Sequence, residues 1–109
     1  MKRGLKTFAR ALRDGNLGKA KEMSDRIVQG DLDAKVWEGY HMALEGMISG
    51  LEAGNDLALI RQIADGKYSK KELEDLKKKM EQKSAQKFIP PDERGFNDAW
   101  ADVLQVMIE

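Results

Sequence analysis

Glu38, His41 and Glu45 are the residues of this 109-residue chain whose types and spacing come nearest to doing chemistry. Glu-x-x-His on a helix sets a carboxylate and an imidazole on one face, the ligand spacing of metal-binding helical bundles. A two-metal site of that kind needs a second Glu-x-x-His, and His41 is the single histidine. What remains is a mononuclear site on Glu38, His41 and Glu45, which would make the protein a metal-dependent enzyme. The competing reading is a solvated polar face that binds nothing.

Other catalytic arrangements are missing from the sequence. There is no cysteine to act as a nucleophile. No serine sits near a histidine–acid pair, and no Gly-x-x-x-x-Gly-Lys loop cradles phosphate. The expectation is therefore a protein without catalytic residues or cofactor. The absence of cysteine also rules out disulfides and fits a reducing compartment, so the expected location is the cytoplasm. No apolar run approaches the roughly 20 residues that cross a bilayer, and no membrane partner is expected.

Charge offers the next candidates. The chain is neutral overall, with 19 Lys/Arg and 19 Asp/Glu, but the signs come in blocks. Residues 1–30 hold eight basic and three acidic side chains, and residues 31–66 hold two and seven. Residues 67–91 hold eight and four, and residues 92–109 hold one and five. Such blocks either meet an acidic partner or attract one another when the helices stack. Arg3, Lys6, Arg10 and Arg13 share one face of the first amphipathic segment and form a candidate protein-contact edge. A nucleic-acid reading would combine that segment with the lysines of 70–83. No aromatic run accompanies those lysines, so the sequence shows no base-stacking platform. Phe88 and Ile89, in Lys87-Phe88-Ile89-Pro90-Pro91, either pin a connector to the core or dock a partner.

These residues need elements to carry them, and the periodicity is helical throughout. Helices are expected over 2–13, 17–29, 33–53, 56–64, 69–85 and 93–108. Leu5, Phe8, Ala9 and Leu12 face inward on the first, and Ala20, Met23, Ile27 and Val28 on the second. Gly15, Gly30, Gly54-Asn55 and Gly66 are stop signals. Ser69-Lys70-Lys71-Glu72 reads as a capping box. Phe96, Trp100, Val103, Leu104 and Met107 make the apolar stripe of the last helix. No strand pattern competes. The fold class is all-α, one domain over residues 1–109, as a six-helix bundle of three consecutive hairpins packed on a long central third helix.

The third helix divides into three arcs at 100° per residue. Trp37, Tyr40, Leu44, Met47, Ile48 and Leu51 form a large apolar arc. Glu38, His41, Glu45, Ser49 and Glu52 form a polar one. Gly39, Ala43, Gly46, Gly50 and Ala53 form a stripe of small residues. An interior glycine costs about 0.5–1 kcal/mol relative to alanine. A stripe of them predicts close packing of another helix, from within the chain or from a second subunit or partner.

Gly15-Asn16-Leu17-Gly18-Lys19-Ala20 resembles the tight turn of a tetratricopeptide repeat, with Gly at the turn, a bulky residue two later and Ala on the second helix. The resemblance covers residues 5–29. The second hairpin turn, Gly54-Asn55-Asp56-Leu57, lacks the matching alanine. The whole Lys- and Glu-rich chain also resembles small helical proteins of the archaeal type. A tetratricopeptide-like arrangement implies a protein–protein interaction module, binding another protein or self-associating through a helix face.

Overall fold

The computed structural model describes residues 1–53 and 58–109. They form six helices and, among the described residues, no strand. The elements are α1 (Leu5–Arg13), α2 (Leu17–Arg26), α3 (Ala34–Glu52), α4 (Leu59–Ala64), α5 (Lys70–Ser84) and α6 (Pro91–Ile108). The Gly54-Asn55 stop and the expected helix start at Asp56 lie outside the described residues.

Helix ends follow local chemistry. Gly4 has φ 88°, a left-handed backbone that keeps residues 2–4 out of the first helix. Asn16 caps α2 by accepting from the Lys19 backbone N–H. The second helix stops three residues earlier than its periodicity suggests, because Ile27 turns extended. Past that point Lys2 Nζ donates to the carbonyls of Val28 (2.5 Å) and Gln29. Val28, expected inward, is therefore on the surface. Asp33 caps α3 through the Lys35 N–H, and Arg61 donates to the Leu51 carbonyl at the other end of that helix. The Ser69–Glu72 capping box is complete, with both bonds at 3.1 Å. The sixth helix begins two residues earlier than expected, because Pro91 fits a first helical position that needs no N–H.

Packing centres on α3 and α6 together rather than on α3 alone. Their mutual contact is the most extensive in the molecule, α5 rests on α6, and α1 packs on both α2 and α6. The core between them holds Leu5, Phe8, Leu12, Leu44, Met47, Val103 and Leu104, all essentially removed from water. Side chains of that size each contribute about 1.5–3 kcal/mol through burial.

Two glycines make the central contact possible. A Cβ on Gly39 would sit 1.7 Å from the Asp92 carbonyl oxygen, and one on Gly95 would sit 1.8 Å from that of Val36. Each glycine admits the backbone of the other helix, so the crossing is reciprocal. The rest of the small-residue stripe meets other surroundings. Ala43 is buried in the core, and the Gly50 Cβ position lies 2.7 Å from Ile60 Cγ2 on α4. Gly46 has nothing within 4 Å, and Ala53 is exposed. The expectation of one helix lying along the whole stripe is thus corrected. Crossing helices diverge, and Gly46 lies about 10 Å along the axis from Gly39.

The charge blocks meet across helix boundaries. Lys21 on α2 pairs with Glu52 on α3 at 2.5 Å, and Lys6 on α1 pairs with Glu109 at 3.9 Å. Both pairs are solvated, so each contributes at most about 1 kcal/mol. No helix of the described residues is long and apolar enough to cross a membrane.

Candidate functional site

Glu38, His41 and Glu45 do not converge. Glu38 reaches back to Lys35 at 3.3 Å, while His41 Nδ1 lies 3.4 Å from Glu45 and its ring rests against Trp37. Among the described residues no group of three or more His, Asp or Glu side chains could hold a metal ion. The three residues form a surface row of i,i+3 and i,i+4 pairs.

Arg3, Lys6, Arg10 and Arg13 are exposed, opposite the buried Leu5–Phe8–Leu12 face. Lys6 faces Glu109 and Arg13 faces Asp14 at 3.6 Å. Arg10 and Arg13 occupy the last turn of α1, where cations complement the helix dipole. No exposed large apolar side chain of the same helix accompanies them. Helices α1 and α5 do not touch, since both pack on α6. The two basic helices therefore do not merge into one contiguous basic surface.

An open cavity of about 550 Å³ lies where α3, α5 and α6 meet the start of the chain. Tyr40, Glu81, Asp98, Asp102, Asp31 and Arg3 are on its wall. Inside it the Tyr40 hydroxyl donates to Asp102 Oδ2 at 2.8 Å. Burial pushes the Asp102 carboxyl above the usual carboxylate range, against the pull of the Tyr40 hydrogen bond. Burial, together with the Asp102 charge, drives the Tyr40 phenol strongly upward. Lys2 does not neutralise the carboxylates: its ammonium serves the Val28 and Gln29 carbonyls and lies 5.4 Å over the Trp37 ring. The hydrogen bond ties α3 to α6 beside the glycine crossing. Periodicity reads Tyr40 only as part of the apolar arc. The signal that could have found its partner is Asp98-x-x-x-Asp102, two acids one turn apart amid Ala99, Trp100, Ala101, Val103 and Leu104.

The corner between α5 and α6 has a different character. Phe88 is 89% exposed, more than any other large apolar side chain described. It does not pin the connector to the core. Ile89 is half-buried, and Phe96 on α6, expected on the inward stripe, remains 38% exposed. A cleft of about 400 Å³ runs between them, bounded by Lys83, Gln86, Ile89, Glu93, Phe96 and Asn97. The Lys87 ammonium lies 5.6 Å over the Phe88 ring. The Pro90-Pro91 step builds this corner: Pro90 is extended, and Pro91 opens α6. Ser84 Oγ donates to the Arg94 carbonyl at 3.3 Å and ties the two helices together there.

Lys79, Lys83, Lys87 and Arg94 have no carboxylate within 4.0 Å among the described residues, whereas Lys71 and Lys77 on the same helix face Asp75 and Glu81. The sequence hides the association of aromatics with free lysines, because Phe96 is thirteen residues beyond Lys83 and reaches it only through the turn.

Comparison with models of protein families, with curated proteins and with solved structures finds no match.

Proposed function

We propose that this protein is a non-enzymatic helical interaction module that binds another protein through the α5–α6 corner. The observation that carries this reading is the exposure of Phe88 at 89%, beside the Ile89–Phe96 cleft. Removing one such ring from water stabilises a complex by about 1.5–3 kcal/mol before ordering costs. Aromatic side chains set beside a cleft are the usual anchors of protein interfaces. The tetratricopeptide-like turn at Gly15–Ala20 belongs to the same reading, as a rigid scaffold of helix hairpins, and the cysteine-free composition suits the cytoplasm. Arg3, Lys6, Arg10 and Arg13 are a secondary contact edge in this proposal.

The nucleic-acid reading has less support. The chain is neutral overall, and its two basic helices are held apart by α6. A metal-dependent reaction at Glu38, His41 and Glu45 has less still, given their separate pairings.

A photo-crosslinking residue placed at position 88 tests the proposal in native lysate. The expected result is a discrete crosslinked protein that disappears when the same probe is moved to exposed position 46. Equal labelling at both positions, or none at 88, sinks the reading.

A further inference from the structure

We infer that the α5–α6 corner takes an acidic segment of a partner protein that carries one large apolar anchor. The anchor enters the cleft at Ile89 and Phe96, and its flanking carboxylates meet Lys79, Lys83 and Lys87. This inference rests on the interaction-module reading and names the chemistry of the partner.

Charge complementarity is the argument. Lys79 and Lys83 stand one turn apart on the same side of α5, and Lys87 follows just past the end of that helix. None of the three has a carboxylate within 4.0 Å among the described residues. The neighbouring carboxylates are engaged elsewhere: Asp75 and Glu81 face Lys71 and Lys77, and Asp92 and Glu93 occupy the first turn of α6, where the helix dipole favours negative charge. Glu93 bounds the cleft from the α6 side and Lys83 from the α5 side. The cleft is thus polarised, and an incoming acidic segment is directed to its α5 wall. Lys87 over the Phe88 ring joins the cation and the apolar surface in one unit. A cleft of about 400 Å³ has room for one or two large side chains, not for a folded domain edge.

A single-stranded nucleic acid is the other polyanion that exposed phenylalanines beside lysines could attract. The arrangement of charges favours a peptide. A strand needs a continuous track of phosphate contacts, and here Glu93 interrupts the lysines while the other basic helix lies apart.

The test is a displayed library of random 12-residue peptides selected on the full chain and counter-selected on a Phe88→Ser/Phe96→Ser variant. The expected outcome is enrichment of sequences with several Asp or Glu around one large apolar residue. A fluorescein-labelled enriched peptide should then bind about tenfold more weakly to the Lys83→Glu/Lys87→Glu variant, and more weakly as salt is raised. Circular dichroism shows whether both variants keep their helices, and the lysine pair, being on the surface, serves even if the phenylalanine pair does not fold. Enriched peptides that are neutral or basic overturn the inference, as does binding indifferent to the lysine reversal. Tighter binding of an oligo-deoxythymidine of the same length overturns it in favour of nucleic acid. If the position-88 crosslink persists while the selected peptides carry no acids, the acidic partner fails and the interaction module stands. If neither crosslink nor enrichment appears, both fail.

Discussion

Gly39 and Gly46 stand two turns apart on one face of α3 and meet opposite surroundings. At Gly39 the Asp92 backbone occupies the space a side chain would fill, while at Gly46 there is nothing within 4 Å. The same contrast separates the two sides of α6. Its inner side meets α3 at a backbone-to-backbone crossing locked by the Tyr40–Asp102 hydrogen bond. Near its start it also joins α5 at a corner with an exposed phenylalanine and lysines that have no ion-pair partner among the described residues. The first region is reciprocal, each helix admitting the backbone of the other. The second leaves apolar surface and positive charge unanswered, which is why the interaction proposal belongs there. A run of small residues on a helix does not by itself say which kind of region it will join.

Substitutions can break or sharpen this contrast. The largest effect is expected from Gly39→Ala or Gly95→Ala. Either Cβ would overlap a carbonyl oxygen, so α6 would have to retreat from α3. A loss of about 3 kcal/mol or more is expected, read from the urea midpoint, because backbone overlap cannot be relieved by a rotamer change. A wild-type midpoint for Gly39→Ala would show that the crossing is looser than described. Gly50→Ala should lose less, about 1 kcal/mol, since the obstruction is a methyl of Ile60 rather than backbone.

Gly46→Ala should have the opposite sign and raise stability by about 0.5–1 kcal/mol, because the site is open and alanine is the better helix former. A destabilised Gly46→Ala protein would mean that something does cover that position. Smaller again is the effect of Phe88→Ser, expected within about 0.5 kcal/mol of the parent, because the ring already faces water. Loss of the position-88 partner without loss of stability would separate the two regions cleanly.

A pH titration probes the inner region. Asp102 has its carboxyl raised above 3.8 in the folded state, so the native protein binds that proton more tightly than the unfolded chain. Its burial therefore opposes folding at neutral pH, and the opposition fades as the pH falls through the raised value toward 3.8. Asp102→Asn keeps an acceptor for the Tyr40 hydroxyl and carries no charge. It should be more stable than the parent at pH 7, with the difference shrinking as the pH approaches 4. A difference that stays constant over that range would place the effect in packing rather than in ionisation.

The amino-acid order alone determined the helical class, the positions of most helix ends and the apolar faces. Those depend on interactions within four residues: the Ser69–Glu72 box, Asn16 as a cap, Gly15 and Gly66 as left-handed stops, Pro91 at a first helical position. Periodicity marked Leu5, Phe8, Leu12, Leu44 and Leu104 as core for the same reason. Tertiary structure alone decided where a helix end depends on a distant group, as when Lys2 takes the Val28 and Gln29 carbonyls. It also decided which glycines admit a neighbour, because that depends on the angle at which α6 crosses α3. It placed Asp102 against Tyr40, 62 residues away, and brought Lys83, Ile89 and Phe96 to the walls of one cleft. Contacts across a turn or a crossing leave no period in the sequence, so Phe88 and Ile89 are legible as candidates while the cleft that Lys83 and Phe96 form across the turn is not.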